Sequence, residues 1–406
     1  MIKRLLKNKN RNHVIITQII NAAIGIISGK IIAVYVIPEE FGLYNIQFAT
    51  FTFASTLLIS PFLQYLKSTN KTLLPKLGTK IYFTAFTPIL FIAIVAVILG
   101  LYLYTGHLSL NLAIILLIFI PLSSINNTLS DFLNINNQIQ QFLKMSVLKS
   151  ITSLCFLITF FILGITFFTE PEALWIMQLI GVTFGSIFFF KSYKLFKKRF
   201  EVNLISFYKK YFKFAWPLMI LAFWSWINNF FDRYAIDYFM TTDNVGIYNA
   251  NYGLGSKFFL MLSPIFMVMI TPLIYDVKRI EIKKTIISRY AKNYIIIGIV
   301  LLSLIYIFKN MIGNLLLSTL YKEGFYLIFW IAVAFFIITL TYLYETIFYA
   351  EGRTKVILFG NILSATLNII LNILLIPSFG LTGAFLATIG GFTLHLIYIN
   401  IKFHKL

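Results

Sequence analysis

Positive charge in this sequence alternates with long apolar runs, and that alternation restricts the chain to one class of fold. Of the 34 Lys and Arg residues, 29 fall in seven gaps: Lys3 to Arg11, Lys67 to Lys80, the stretch holding Lys144 and Lys149, Lys191 to Lys213, Lys278 to Lys292, Arg353 with Lys355, and Lys402 with Lys405. The six gaps between them carry Glu39 and Glu40, only His107, Glu170 and Glu172, Asp243, Lys322 with Glu323, and no charge from Pro377 to Gly380. Loops that stay cytoplasmic during insertion retain positive charge, so each alternation marks one crossing of a bilayer. The pattern predicts twelve spans with both termini cytoplasmic.

A crossing needs about 20 apolar residues to cover roughly 30 Å of hydrocarbon. The runs that qualify are 13–37, 44–66, 81–104, 108–130, 145–168 and 173–190, then 214–240, 245–275, 293–308, 325–350, 356–376 and 381–401. Run 293–308 is the shortest. A basic opening before an apolar run also describes a secretory signal, but this run is too long and no small-x-small cleavage site follows it. The single cysteine, Cys155, lies inside a span, which excludes an internal disulfide or a thiolate metal cluster. Four scattered histidines offer no metal-ligand spacing. No cofactor is expected.

A net charge of +20 would suit nucleic acid if it gathered on a soluble face. Here it lines one side of a membrane, where anionic headgroups attract it, so membrane lipids and not nucleic acid are the expected contact. The densest stretch, 191–213, interleaves Phe196, Phe200, Leu204, Phe207 and Phe212 with lysines. That pattern suits an amphipathic helix on the inner leaflet.

The same stretch falls at the midpoint of an internal repeat. Gly42-Leu43-Tyr44-Asn45 recurs as Gly246-Ile247-Tyr248-Asn249, offset by 204 residues, and both copies lie at the outer junction of the first and second spans of their halves. Equal span counts and equal orientation accompany the match. The expectation is therefore an all-α membrane protein of two six-helix lobes related as parallel repeats: residues 1–204, ending in a basic cytoplasmic linker at about 191–213, and residues 205–406.

Three groups of residues carry a family resemblance. They are Ile37-Pro38-Glu39-Glu40-Phe41-Gly42-Leu43-Tyr44; Asp232-Arg233-Tyr234 with Asn244-Val245-Gly246-Ile247-Tyr248; and Ala350-Glu351-Gly352-Arg353-Thr354-Lys355 with Asn368, Asn372, Ile376-Pro377 and Gly380-Leu381-Thr382-Gly383-Ala384. In order and placement these resemble the polysaccharide and lipid-linked oligosaccharide exporters of the MATE-like superfamily, the group of O-antigen-type flippases. One departure is Val34, where many relatives have a basic residue.

The resemblance implies a V-shaped, two-lobed fold in a bacterial inner membrane. It implies flipping of a polyprenyl-diphosphate-linked oligosaccharide, such as one on undecaprenyl diphosphate, from the cytoplasmic to the outer leaflet by alternating access. Functional coupling to a glycan polymerase is a further implication. The alternatives are a multidrug cation antiporter of the same superfamily, which would want acids where Lys30 and Lys257 stand, and a polytopic polymerase or ligase. The last would be an enzyme with a sizeable outer catalytic loop, and every outer gap here is short.

An uncompensated charge at mid-membrane costs at least ~3 kcal/mol on insertion scales, so a flippase for an anionic headgroup needs a cationic, hydrated cavity. Intramembrane charges are its candidate residues. Arg233 shares a helix face with Ser225, Asn229 and Asp237 at spacings of four, and a guanidinium binds phosphate through two hydrogen bonds. Its alternative reading is a structural pair with Asp237 at i, i+4.

Lys257 lies ~16 Å inside its span at 1.5 Å per residue, on one face with Gly246, Asn249 and Gly253. Those small residues also permit close helix packing. Lys30 points away from the stripe of Thr17, Gln18, Asn21, Gly25, Ser28 and Gly29, either into a cavity or snorkelling outward. The acids Asp232, Asp237 and Glu345 are candidate charge partners or ion-coupling groups. Glu345 is expected near Arg353, at the inner interface. Pro61, Pro88, Pro121, Pro217, Pro264 and Pro272 are expected to kink helices.

Overall fold

A computed structural model describes residues 9–69, 74–135, 138–162, 164, 169–192 and 204–406 of the chain. Among them there are twelve helices and no strand. These are α1 (Lys9–Tyr35), α2 (Pro38–Ser68), α3 (Leu74–Thr105), α4 (Leu110–Ile135), α5 (Ile139–Ile162), α6 (Glu170–Ser192), α7 (Leu204–Phe239), α8 (Thr242–Asp276), α9 (Ile280–Leu316), α10 (Phe325–Ala350), α11 (Thr354–Phe379) and α12 (Leu381–His404). Each matches one of the twelve expected spans in order. Among the described residues nine are long and apolar enough to cross a membrane, α2 to α5 and α8 to α12. The polar set on α7, from Ser225 through Asp237, holds its hydropathy down.

Five of the acids in the gaps between the basic ones find a local explanation at helix N-termini, where negative charge opposes the exposed N–H groups. Glu39 and Glu40 stand in the first turn of α2, Glu170 and Glu172 in that of α6, and Asp243 in that of α8. Glu172 also accepts from the Ser109 hydroxyl at 2.6 Å and the Thr169 amide at 3.3 Å, and Thr241 caps α8 by accepting from the Asn244 amide at 3.3 Å.

Two of the basic gaps depart from the expectation of loops. Lys283, Lys284, Arg289 and Lys292 lie within α9, whose 37 residues extend about 55 Å at 1.5 Å per residue, well past the bilayer core. Lys144 and Lys149 lie within α5. Lys and Arg are good helix formers, so a helix leaving the membrane continues through them. In the basic midpoint stretch, 193–203 lie outside the described residues, while 204–213 open α7 directly. Phe207 and Tyr211 there pack edge-on against Phe62 and Tyr65 of α2. Burial, reinforced by Tyr208, pushes the Tyr211 phenol up to about 12. This part is a helix start with one face packed, through Phe207 and Tyr211, and the other, with Lys209, Lys210 and Lys213, exposed.

Of the expected kinks, Pro61 has a visible consequence. Proline cannot donate to the carbonyl four residues back, and the turn before it, Ser55–Ile59, widens to a π-helix. Pro88, Pro121, Pro217, Pro264 and Pro272 all lie inside helices.

The chain divides into two compact units, Met1–Val36 with Gln47–Phe223, and Ile37–Ile46 with Trp224–Leu406. In the first, α4 packs on α6, α6 on α5 and α5 on α1. Its centre is aromatic: buried Trp175 lies against Phe48, Phe51 and Phe119 and donates to Gln47 at 2.8 Å. Phe91, Ile92, Leu99 and Leu103 of α3 are exposed, the composition of a lipid-facing surface.

In the second unit α10 is the central helix, packed on α8, α9 and α12, and α11 lies along α12. Gly383 and Gly391 let α11 and α12 approach until a Cβ would meet the Leu375 and Ser364 carbonyls. The first turns of α2 belong to this unit and cross the start of α8. A Cβ on Gly42 would overlap the Thr242 carbonyl, and one on Gly246 would overlap the Pro38 carbonyl. Pro38 and Thr242 are themselves separated by the repeat offset of 204. The contact is thus reciprocal, as a parallel pseudo-repeat requires.

Candidate functional site

The polar face of α7 enters the core of the second unit rather than leaving it open. Asn229 donates to the Ser225 carbonyl at 2.7 Å, and the Arg233 guanidinium reaches back to the Asn229 carbonyl. Arg233 is 7% exposed and Asp232 2%. The Asp232 carboxylate accepts from Arg233 Nη1 at 3.0 Å, from the Arg233 amide at 2.9 Å, and from the Tyr248 hydroxyl of α8 at 2.8 Å. Three donors on one buried carboxylate offset much of its desolvation. The guanidinium also lies over Phe230 at 4.7 Å and Tyr252 at 5.2 Å.

Arg233 is therefore paired, but with its neighbour Asp232 and not with Asp237 one turn on. Asp237 accepts from the Thr242 hydroxyl at 2.6 Å, tying the end of α7 to the start of α8. Next along α7, Asn228 accepts from Ser364 at 3.0 Å and donates to the Asn361 carbonyl at 3.3 Å, joining α7 to α11. Asn368 and Asn372 of α11 are buried, and Asn372 donates to the Asn368 carbonyl at 2.9 Å and to its side-chain oxygen at 3.0 Å. Sequence reasoning found Arg233 and the two asparagines through motifs. It missed Tyr248 as the partner of Asp232, because nothing in the chain says that α8 turns that ring toward α7.

The stripe on α8 changes character along its length. At Gly246 it is a packing face, and Asn249, 6% exposed, donates to its own helix at the Val245 carbonyl. At Gly253 a Cβ would meet nothing within 4 Å, so close packing does not explain that glycine. Lys257, one turn further, is exposed and makes no hydrogen bond or ion pair among the described residues. The structure brings Asn249 near the Arg233 cluster's helix pair but leaves the ammonium of Lys257 outside it.

Lys30 on α1 is half-buried, in the first unit. The stripe it opposes packs only in part: Asn21 donates to Ser146 of α5 at 2.8 Å, whereas Gly25 and Gly29 have nothing within 4 Å of a built Cβ.

Glu345 requires a correction. It is not an interfacial residue beside Arg353, because its side chain turns inward and is 3% exposed, with Oε1 3.0 Å from Nε2 of buried His395 on α12. The acid at that interface is Glu351, which holds Lys283 of α9 at 2.6 Å. Composition alone disqualified His395, one of four scattered histidines. Its partner became visible only when α10 and α12 were packed.

A protein family described as polysaccharide biosynthesis protein matches residues 9–278. No curated protein matches the chain by sequence. Among solved structures, the lipid II flippase MurJ in an inward closed conformation is similar at a TM-score of 0.70 with 18% identity, over 96% of this chain and 87% of that one. An inward-facing multidrug resistance MATE family transporter is similar at 0.64 with 14% identity, over 98% and 99%. A MOP superfamily transporter from Pyrococcus furiosus gives 0.60 and 14%, over 99% and 97%. At these identities the likeness establishes the fold: a multi-pass, MATE-like helical membrane protein.

Proposed function

The chain belongs to the polysaccharide biosynthesis protein family, and on that premise we propose that it is a flippase. It moves polyprenyl-diphosphate-linked oligosaccharide repeat units from the cytoplasmic to the outer leaflet of a bacterial inner membrane by alternating access, and it performs no covalent chemistry. The single observation that carries this reading is the family match over residues 9–278. Its cytoplasmic termini, an O-antigen-type surface polymer as end product and a glycan polymerase as downstream partner are parts of the same proposal.

The residues divide the work as follows. Lys257, exposed at the open end of the α8 stripe beside Gly253, is the group available to neutralise a diphosphate. Arg233, held by Asp232 and by the Asn229 carbonyl, braces the buried polar core between α7 and α8 beside it. Asn249 braces the stripe, and Lys30 is the corresponding cation of the first unit. Cations at these positions favour an anionic lipid-linked substrate over the cationic drugs of a multidrug antiporter.

Deleting the gene is expected to abolish a surface glycan while its lipid-linked precursor accumulates inside the cell. Restoring Lys257→Gln should return normal protein abundance with reduced export, and Lys257→Glu should export less still. Normal surface glycan together with sensitivity to cationic dyes in the deletion strain would favour the antiporter instead.

A further inference from the structure

The second unit buries another titratable pair that the flipping chemistry above does not use. Glu345 on α10 and His395 on α12 are 3% and 1% exposed, and their Oε1 and Nε2 atoms stand 3.0 Å apart. That distance admits a shared proton, yet the atoms are not aligned as donor and acceptor. Glu345 Oε1, His395 Nε2 and His395 Nδ1 all lack a hydrogen-bond partner among the described residues. Three unbonded buried polar atoms in one place are unusual, because native interiors satisfy most such groups. The space is also built for the ring: a Cβ on Gly360 of α11 would lie 2.6 Å from His395 Cδ2 and Nε2.

A metal ion is a poor occupant, since among the described residues no third His, Cys, Asp or Glu joins the pair. A proton suits it. Glu345 carboxylate with His395 imidazolium, and Glu345 carboxyl with neutral His395, are both neutral overall and each holds one proton. The pair therefore carries one proton without a net charge. The groups around the pair are uncharged phenols: Tyr342 and Tyr349 on α10, Tyr275 of α8 near Tyr349, and Tyr398 of α12 beside Gly360. α11 contributes the glycine.

The pair is near the basic end of the unit, where Lys283 bonds Glu351 and Lys284 donates to the His404 carbonyl. Glu345 is five residues from Ala350 and His395 nine from His404, or about 8 Å and about 14 Å along their helices. Tyr349, half exposed, lies one turn from Glu345 toward that end.

We propose that Glu345 and His395 form a proton-binding site that exchanges one proton with water at the basic end of the second unit. The proton passes between water and the Nε2/Oε1 pair, and no other bond changes.

The test uses the purified full chain in detergent micelles, titrated from about pH 5 to about pH 8, the range in which imidazole changes charge. Nuclear magnetic resonance of isotope-labelled histidine, with His13, His107 and His404 replaced by Gln, reads the His395 ring directly in the folded chain and needs no variant of the pair itself. Reversible titration of that ring supports the site, and a ring locked in one state throughout sinks it. This measurement involves no glycan, so a negative result leaves the flippase standing. Conversely, normal surface glycan after gene deletion removes the flippase and leaves the proton site.

Discussion

Asp232 decides what the charge on Arg233 does to the protein. With the carboxylate in place the buried guanidinium has a charged partner; with it gone, a guanidinium 7% exposed has only a carbonyl and two rings to hold it. Asp232→Asn is therefore expected to cost about 3 kcal/mol or more, the usual penalty for stranding one member of a buried pair. Asp232→Asn combined with Arg233→Gln should recover most of that loss. Thermal unfolding in detergent reads both, and a double variant no more stable than the single one would refute the pairing. Arg233 was legible as an intramembrane charge, but helical spacing pointed to Asp237. The choice of Asp232 depends on Tyr248, whose hydroxyl approaches from α8 and fixes the carboxylate beside Arg233.

At the level of helices, glycine roles separate cleanly once neighbours are known. Gly246→Ala would drive a Cβ into the Pro38 carbonyl, and Gly42→Ala one into the Thr242 carbonyl. Each should destabilise by about 1–3 kcal/mol, the cost of overpacking where backbone cannot move aside. Gly253→Ala, on the same face of α8 with nothing within 4 Å, should be neutral or should gain up to about 1 kcal/mol from helix propensity. The measurement is the unfolding midpoint of the three variants, and equal shifts would contradict the crossing. The repeated Gly-x-Tyr-Asn motif located both crossing glycines from sequence. It did not say that they meet each other, nor that the basic residues of α5 and most of those of α9 are helical, because charge patterning records where a helix leaves the membrane and not where it ends.

For the whole molecule the prediction concerns sidedness. Single cysteines at Glu39, Glu170, Asp243 and Pro377, in a Cys155→Ser background, are expected to label with a membrane-impermeant thiol reagent in intact cells. Protection of two or more would overturn the assigned orientation. Helix number, order and approximate limits followed from the sequence alone, because hydrocarbon thickness sets the length of each apolar run and insertion records its direction in lysine and arginine. The grouping of residues 37–46 with 224–406 was decided only by tertiary packing. So were the partners of Arg233, Glu345 and His395. Membrane helices are apolar around most of their circumference, so periodicity carries little information about which face meets which neighbour, and a buried charge finds its partner only when packed helices bring one within about 3 Å.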